Sequence, residues 1–187
     1  MKVIQALLWE NKDSSSLEYF NLIAKENAFV LEGTIVMLLD GSPTRITYKI
    51  ECDKNWKTRD VAIRQERSGI TSHLALKVSN RQIWKTKGST IPFATGLHDV
   101  DLEVTPATNT LPIRRIGLKE GESRQVDAVW VRFPSLALER LQQRYTRIGR
   151  NRYRYEYRSV GYQAELEVDE SGLVVSYGNL WSRVAGK

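Results

Sequence analysis

A single cysteine, Cys52, stands in 187 residues. No internal disulfide can staple the chain, and the composition suits a reducing cytoplasm. Asp53 follows it, and a neighbouring carboxylate opposes thiolate formation. Histidine is almost as scarce: only His73 and His98 occur, and neither lies at a metal-ligand spacing from Cys52. No apolar run approaches the roughly 20 residues of a membrane helix. The opening MKVIQALLWENKDSSS has a short apolar run broken by Gln5, with charges where a secretory cleavage site would need small residues. A glycine-rich phosphate loop and a βαβ alternation are both missing, which removes the nucleotide-dependent transferases. No low-complexity linker divides the chain, so residues 1–187 are expected to form a single domain.

Acidic residues are thin in one segment. The formal charge is +6, and residues 140–158 (RLQQRYTRIGRNRYRYEYR) hold seven arginines against one glutamate. The remainder balances at 21 basic and 21 acidic residues (28 − 7 and 22 − 1). The basic character of the protein therefore belongs to that segment.

What is present is alternation. In YQAELEV (162–168), Ala164, Leu166 and Val168 share one face and Gln163, Glu165 and Glu167 the other, before DESG turns into LVVSY. Tyr153, Tyr155 and Tyr157 alternate with Arg152, Arg154, Glu156 and Arg158, with GRN linking back to RYTRI. Two further strands flank DGSP, and RQVDAVWVRFP reads as a strand ended by Pro134. Helical signals are weak: SLEYFNLIAKEN behind Ser15 and ALERLQQRY fit a strand about as well. ITYKIECDKNW and YQAELEVDESG echo one another, which fits either a duplicated half or chance.

The densest polar chemistry is DVDLEVTPATNTLPIRR, residues 99–115. Asp99 and Asp101 project to one side of a strand and could hold a cation, although any short window can produce such a pair. Pro106 and Pro112 bound a stretch whose hydroxyls and amide can bond local peptide groups, which predicts a rigid non-repetitive loop. Arg114 and Arg115 are expected on opposite faces of the following strand, one of them paired with Asp99 or Asp101. A buried polar network and a polar lip for a ligand both remain open for this segment.

In order along the chain, ITYKIECDKNWKTRDVAI, GLHDVDLEVTPATNTLPIRRIGL, DAVWVRFPSL, RYRYEY and ELEVDESGLVVSYGNLWSRV resemble the putative glycolipid-binding family of bacterial proteins, formerly a domain of unknown function. The segment from Asp99 to Arg115 is the most specific part of the match. The resemblance implies an all-β or β-dominated fold, similar to the curved-sheet lipoprotein carriers, with an apolar cavity. It brings no catalytic residues with it.

The expectation is one strongly curved, barrel-like antiparallel sheet around an apolar interior, with two pseudo-repeated halves as an option. Its function is non-catalytic binding of a glycolipid or other amphipathic ligand, with no cofactor and no metal. The candidate ligand-binding residues are Trp56, Trp84, Thr105, Thr108, Asn109, Arg114, Arg115, Trp130, Tyr153 and Tyr155, and Trp181 is a further candidate for the lining. The competing readings are an enzyme on a lipid or sugar ester using His98, Asp99 and Asp101, and a nucleic-acid module using the 140–158 hairpin. Strict alternation argues against the latter, because it separates stacking rings from phosphate-binding arginines. The oligomeric state is not legible.

Overall fold

The computed structural model describes residues 1–13 and 15–186. Its first eight strands form an antiparallel meander: β1 (Lys2–Asn11), β2 (Ser16–Ala24), β3 (Ala28–Leu39), β4 (Ser42–Asp53), β5 (Thr58–Arg67), β6 (Ile70–Val78), β7 (Trp84–Thr86) and β8 (Ser89–Thr90). A second set comprises β9 (Asp99–Leu102), β10 (Ser123–Val131), β11 (Leu138–Gly149), β12 (Arg152–Tyr157), β13 (Tyr162–Val168), β14 (Val174–Tyr177) and β15 (Trp181–Ala185). Here β9 pairs with β10 in parallel, and the other neighbours are antiparallel. Pairing of β15 with β1 joins the two sets into one sheet of fifteen strands, with β8 and β9 at its edges.

The period-2 pattern is why these segments are strands. Along β4, Thr44, Ile46, Tyr48, Ile50 and Cys52 are buried, and the residues between them are exposed or half-buried. The ambiguous SLEYFNLIAKEN segment forms β2, and ALERLQQRY runs into β11. Each alternates in burial, so tertiary pairing settles what local propensity left open. The sheet is curved but not closed. The 91–98 connection bridges its two ends: Thr58 N–H donates to His98 O (2.9 Å), while the side chains of Gln82 (3.0 Å) and Trp84 (2.9 Å) donate to Leu97 O.

Segment 104–113 fills the interior, and every residue in it is buried. It differs from the expected loop. Residues Ala107–Asn109 form a 3-10 turn that leads into helix α1 (Thr110–Ile116), so Arg114 and Arg115 lie on a helix and not on a strand. Pro112 is tolerated because the first turn needs no intrahelical N–H. Gly117, at φ 59°, ends the helix in the left-handed region, and its N–H donates to Ile113 O.

The echo between the two halves has a structural counterpart in one turn. Asp53 Oδ1 accepts from the N–H groups of Asn55 and Lys57, and Oδ2 accepts from Arg59. Asp169 Oδ1 accepts from the N–H groups of Ser171 and Leu173, and Oδ2 accepts from Arg183. The fourth residue of each turn, Trp56 and Gly172, has positive φ. Both turns touch Arg114: its guanidinium lies over the Trp56 ring at 5.3 Å and donates to Glu170 O at 3.2 Å. One side chain of the interior helix thus bridges corresponding turns of the two halves.

Gly33 marks a close approach inside the first half. A Cβ there would lie 2.5 Å from Tyr48 Cε1 and 2.7 Å from Glu18 Oε1. Gly33→Ala is expected to cost about 1–3 kcal/mol by overpacking. Chemical denaturation would measure this, and a neutral effect would mean that the Tyr48 ring can move aside.

Candidate functional site

The concave face of the first half is filled by large side chains, among them Trp9, Phe20, Leu31, Ile46 and Tyr48. The second half keeps a cleft of about 370 Å³. Successive strands each supply part of its wall: Asp101 and Leu102 from β9, Trp130 from β10, Leu141 from β11, Tyr155 and Tyr157 from β12, Tyr162 from β13, Tyr177 from β14 and Trp181 from β15. Leu180 closes one side, and Thr105 and Asn109 enter from the interior segment. Glu103 joins them just beyond β9. The alternation of each strand places these rings inward, and the curvature of the sheet brings them together.

The polar groups from the interior segment are held in place. Tyr145 Oη donates to Asn109 Oδ1 (2.8 Å), and Asn109 Nδ2 donates to Pro106 O (3.1 Å). Thr105 Oγ1 accepts from Ala107 N–H (3.1 Å) and lies 3.5 Å from Tyr48 Oη. The rings meet at angles: Tyr155 and Tyr177 have centroids 5.8 Å apart, Tyr155 and Tyr162 6.2 Å, and each pair is inclined at 65°. Burial raises the hydroxyls of Tyr145, Tyr155 and Tyr177 well above their usual range, so they stay protonated and can donate.

Two carboxylates line the cleft. Glu103 accepts from Phe133 N–H (2.8 Å) and pairs with Arg132 (3.1 Å). Asp101 has neither a hydrogen bond nor an ion pair among the described residues. Burial, with the charges of Glu103 and Asp99 adding to it, pushes its carboxyl up to about 7. Among the described residues no lysine, arginine or histidine lines the cleft, although Arg132 contacts two lining residues, Glu103 and Trp130. Among the described residues no group of three His, Cys, Asp or Glu side chains could hold a metal ion.

The structure brings four of the ten candidate ligand-binding residues together here: Thr105, Asn109, Trp130 and Tyr155. The other six lie elsewhere. Trp56 stacks on Phe29 at 4.4 Å. Trp84 is fully buried, with its indole N–H on Leu97 O. Thr108 accepts from Leu102 N–H at 3.4 Å, and Arg114 spans the two turns. Tyr153 lies under Arg147 beside a separate depression. Arg115 donates twice to Asp99, at 3.0 and 2.5 Å, which forms the Asp–Arg pair expected in this segment. Sequence reasoning missed Glu103, Tyr157, Tyr162 and Tyr177 as neighbours of the cleft. The alternation on β12 carried part of that signal, but no spacing links β12 to β14.

The two alternative constellations do not assemble. His98 lines a different depression with Arg115 and Arg124, and Asp99 is engaged by Arg115, so only Asp101 of that trio reaches the cleft. Burial, followed by the charge of Arg115, lowers the His98 imidazole. In the basic segment, Tyr153 and Tyr155 point inward while Arg152 and Arg154 point out. Arg140, Arg144, Arg152 and Arg158 each lie within ion-pair distance of a carboxylate, which neutralises much of that face. Cys52 is buried, and burial pushes its thiol up to about 12.

Comparison with known proteins agrees with this picture of the fold. The family described as "Putative glycolipid-binding" matches residues 6–183. The crystal structure of a DUF1089 family protein from Pseudomonas aeruginosa superposes with a TM-score of 0.83 at 31% identity, over 91% of this chain and 93% of that one. No curated protein matches the chain.

Proposed function

Since the chain belongs to the family described as "Putative glycolipid-binding", we propose that it binds a glycolipid without catalysis and that the Asp101 cleft receives the head group. The observation that carries this reading is the composition of the cleft wall. Flat Trp and Tyr rings offer faces for the C–H surface of a sugar ring. Asp101, Thr105, Asn109 and the tyrosine hydroxyls offer directional partners for its hydroxyl groups. At about 370 Å³ the cleft lies near the small end of the ~300–1,000 Å³ range of ligand pockets. It therefore suits a head group and the adjoining methylenes, which would lie along Leu141 and Leu180. Among the described residues the lining has no Ser, Cys, His or Lys, and of its other nucleophile types Thr105 accepts from Ala107 N–H and Glu103 is engaged by Arg132 and Phe133 N–H. Among the described residues no helix is long and apolar enough to cross a membrane.

Titration with octyl glucoside below its micellar concentration, followed by tryptophan fluorescence, tests the proposal. Trp130→Ala is expected to weaken binding about tenfold, the loss of about 1.4 kcal/mol that one stacked ring can supply. Octanol should bind far more weakly than the glycoside. Equal binding of octanol and octyl glucoside, unaffected by Trp130→Ala, would sink the head-group assignment.

A further inference from the structure

We infer that the head group taken by the Asp101 cleft carries an ammonium group, as an amino sugar or another alkylammonium amphiphile does. This inference rests on the glycolipid reading above and narrows it. The charge of the lining is the first argument. Asp101 and Glu103 face the cleft, and since Arg132 pairs with Glu103 at 3.1 Å, Asp101 is the acid of the pair left without a counter-charge among the described residues.

The second argument is that Asp101 lacks a partner. Elsewhere in this fold four half-buried or buried aspartates are matched by arginines, Asp53 by Arg59, Asp99 by Arg115, Asp127 by Arg140 and Asp169 by Arg183, and the fully buried Glu18 accepts a hydrogen bond from Tyr48. A carboxylate in a partly dehydrated site is costly without a counter-charge. Asp101 lines the cleft, from which a cation could reach it. Its carboxyl, held near neutrality in the free protein, would be drawn into the charged form by a bound ammonium.

The third argument is the ring geometry. Tyr155, Tyr162 and Tyr177 all line the cleft, and Tyr155 is inclined at 65° to each of the other two, so their ring faces do not all point the same way. Such faces attract cations through their quadrupoles. Trp130 on the same wall already does so, with the Arg132 guanidinium 3.9 Å from its ring centroid. A neutral sugar would use the hydrogen-bonding groups of the cleft. An aminated one would use those together with the charge and the ring faces.

The test compares octyl glucoside with the octyl glycoside of 2-amino-2-deoxyglucose, which differ by one hydroxyl-to-ammonium replacement. Both are titrated into the unmodified protein below their micellar concentrations, with tryptophan fluorescence as the readout. The amino glycoside is expected to bind about tenfold tighter, equivalent to about 1.4 kcal/mol. Asp101→Asn should abolish that preference, bringing the variant's affinities for the two glycosides within about threefold of each other, roughly 0.6 kcal/mol. Octyltrimethylammonium distinguishes the sources: competition by it assigns recognition to the ammonium alone, and failure to compete assigns it to an amine on a sugar. Equal or tighter binding of the neutral glycoside overturns the ammonium inference and leaves the glycolipid reading intact. No response to either glycoside overturns both. A preference undiminished in folded Asp101→Asn, checked by thermal unfolding, overturns the role given to Asp101. The comparison in the unmodified protein stands whatever that variant does.

Discussion

Replacing Arg115 with methionine is expected to lower folding stability by about 3–5 kcal/mol near neutral pH, because it leaves a buried carboxylate without a partner. The Asp99 side chain is 1% exposed and that of Arg115 is 19% exposed, and two N–H groups of the guanidinium meet the two carboxylate oxygens. This geometry ties edge strand β9 to helix α1, and so fixes the interior segment against the rim of the sheet. The loss should shrink as pH falls and Asp99 becomes able to protonate. An exposed pair supplies the contrast. Arg152 and Glu165 have side chains 60% and 54% exposed, and Arg152→Met should cost under about 1 kcal/mol. Denaturant unfolding of Arg115→Met, Asp99→Asn and the double variant would measure the coupling. Additive losses would show that the two side chains do not stabilise each other.

Glu18→Gln is expected to remove most of a decline in stability between mildly acidic and mildly alkaline pH. Glu18 is fully buried on β2, accepts a hydrogen bond from Tyr48 Oη through Oε1, and has no hydrogen-bond partner at Oε2. Among the described residues no cation balances it. Burial dominates over the opposing effect of the nearby Thr105 and Tyr48 hydroxyls and raises its carboxyl from 4.5 to about 8. Between those values the folded protein holds a proton that the unfolded chain has released. Stability must therefore fall as pH rises, by about 1.4 kcal/mol per unit and on the order of 5 kcal/mol across the window. The contribution is fully present below the unfolded value and gone above the folded one. Glutamine keeps the neutral shape at every pH, so the variant should exceed the parent at about pH 9 and approach it at about pH 5. Asp101 contributes in the same direction up to about 7, so a residual slope is expected in the variant. Parallel loss of stability in the two proteins across this range would show that Glu18 is not the neutral buried acid described here.

Much of the fold was legible from local pattern. Alternation within 162–168 and 152–157 assigned both the strands and their inward faces, because side chains alternate sides wherever a chain is extended. The turns at DGSP and DESG were legible from Gly41 and Gly172, which supply the positive φ that each reversal uses, and the GRN turn from its polar residues. The pairing of an acid with an arginine inside 99–115 followed from proximity and from the cost of an isolated buried charge.

Helix α1 was not legible. Seven residues with a proline at the third position form a helix here because they are packed inside a sheet, where burial outweighs weak intrinsic propensity. The cleft was not legible for a different reason. Its wall takes side chains from every strand between β9 and β15, a span of about eighty residues in which no spacing repeats. The sequence by itself determined which side chains share a face of each strand, since that depends only on the two-residue period. Only the tertiary structure decided which faces converge, which acids acquire a partner, and that Asp101 faces the cleft without one among the described residues. Those outcomes depend on strand order and sheet curvature, which bring together residues far apart along the chain.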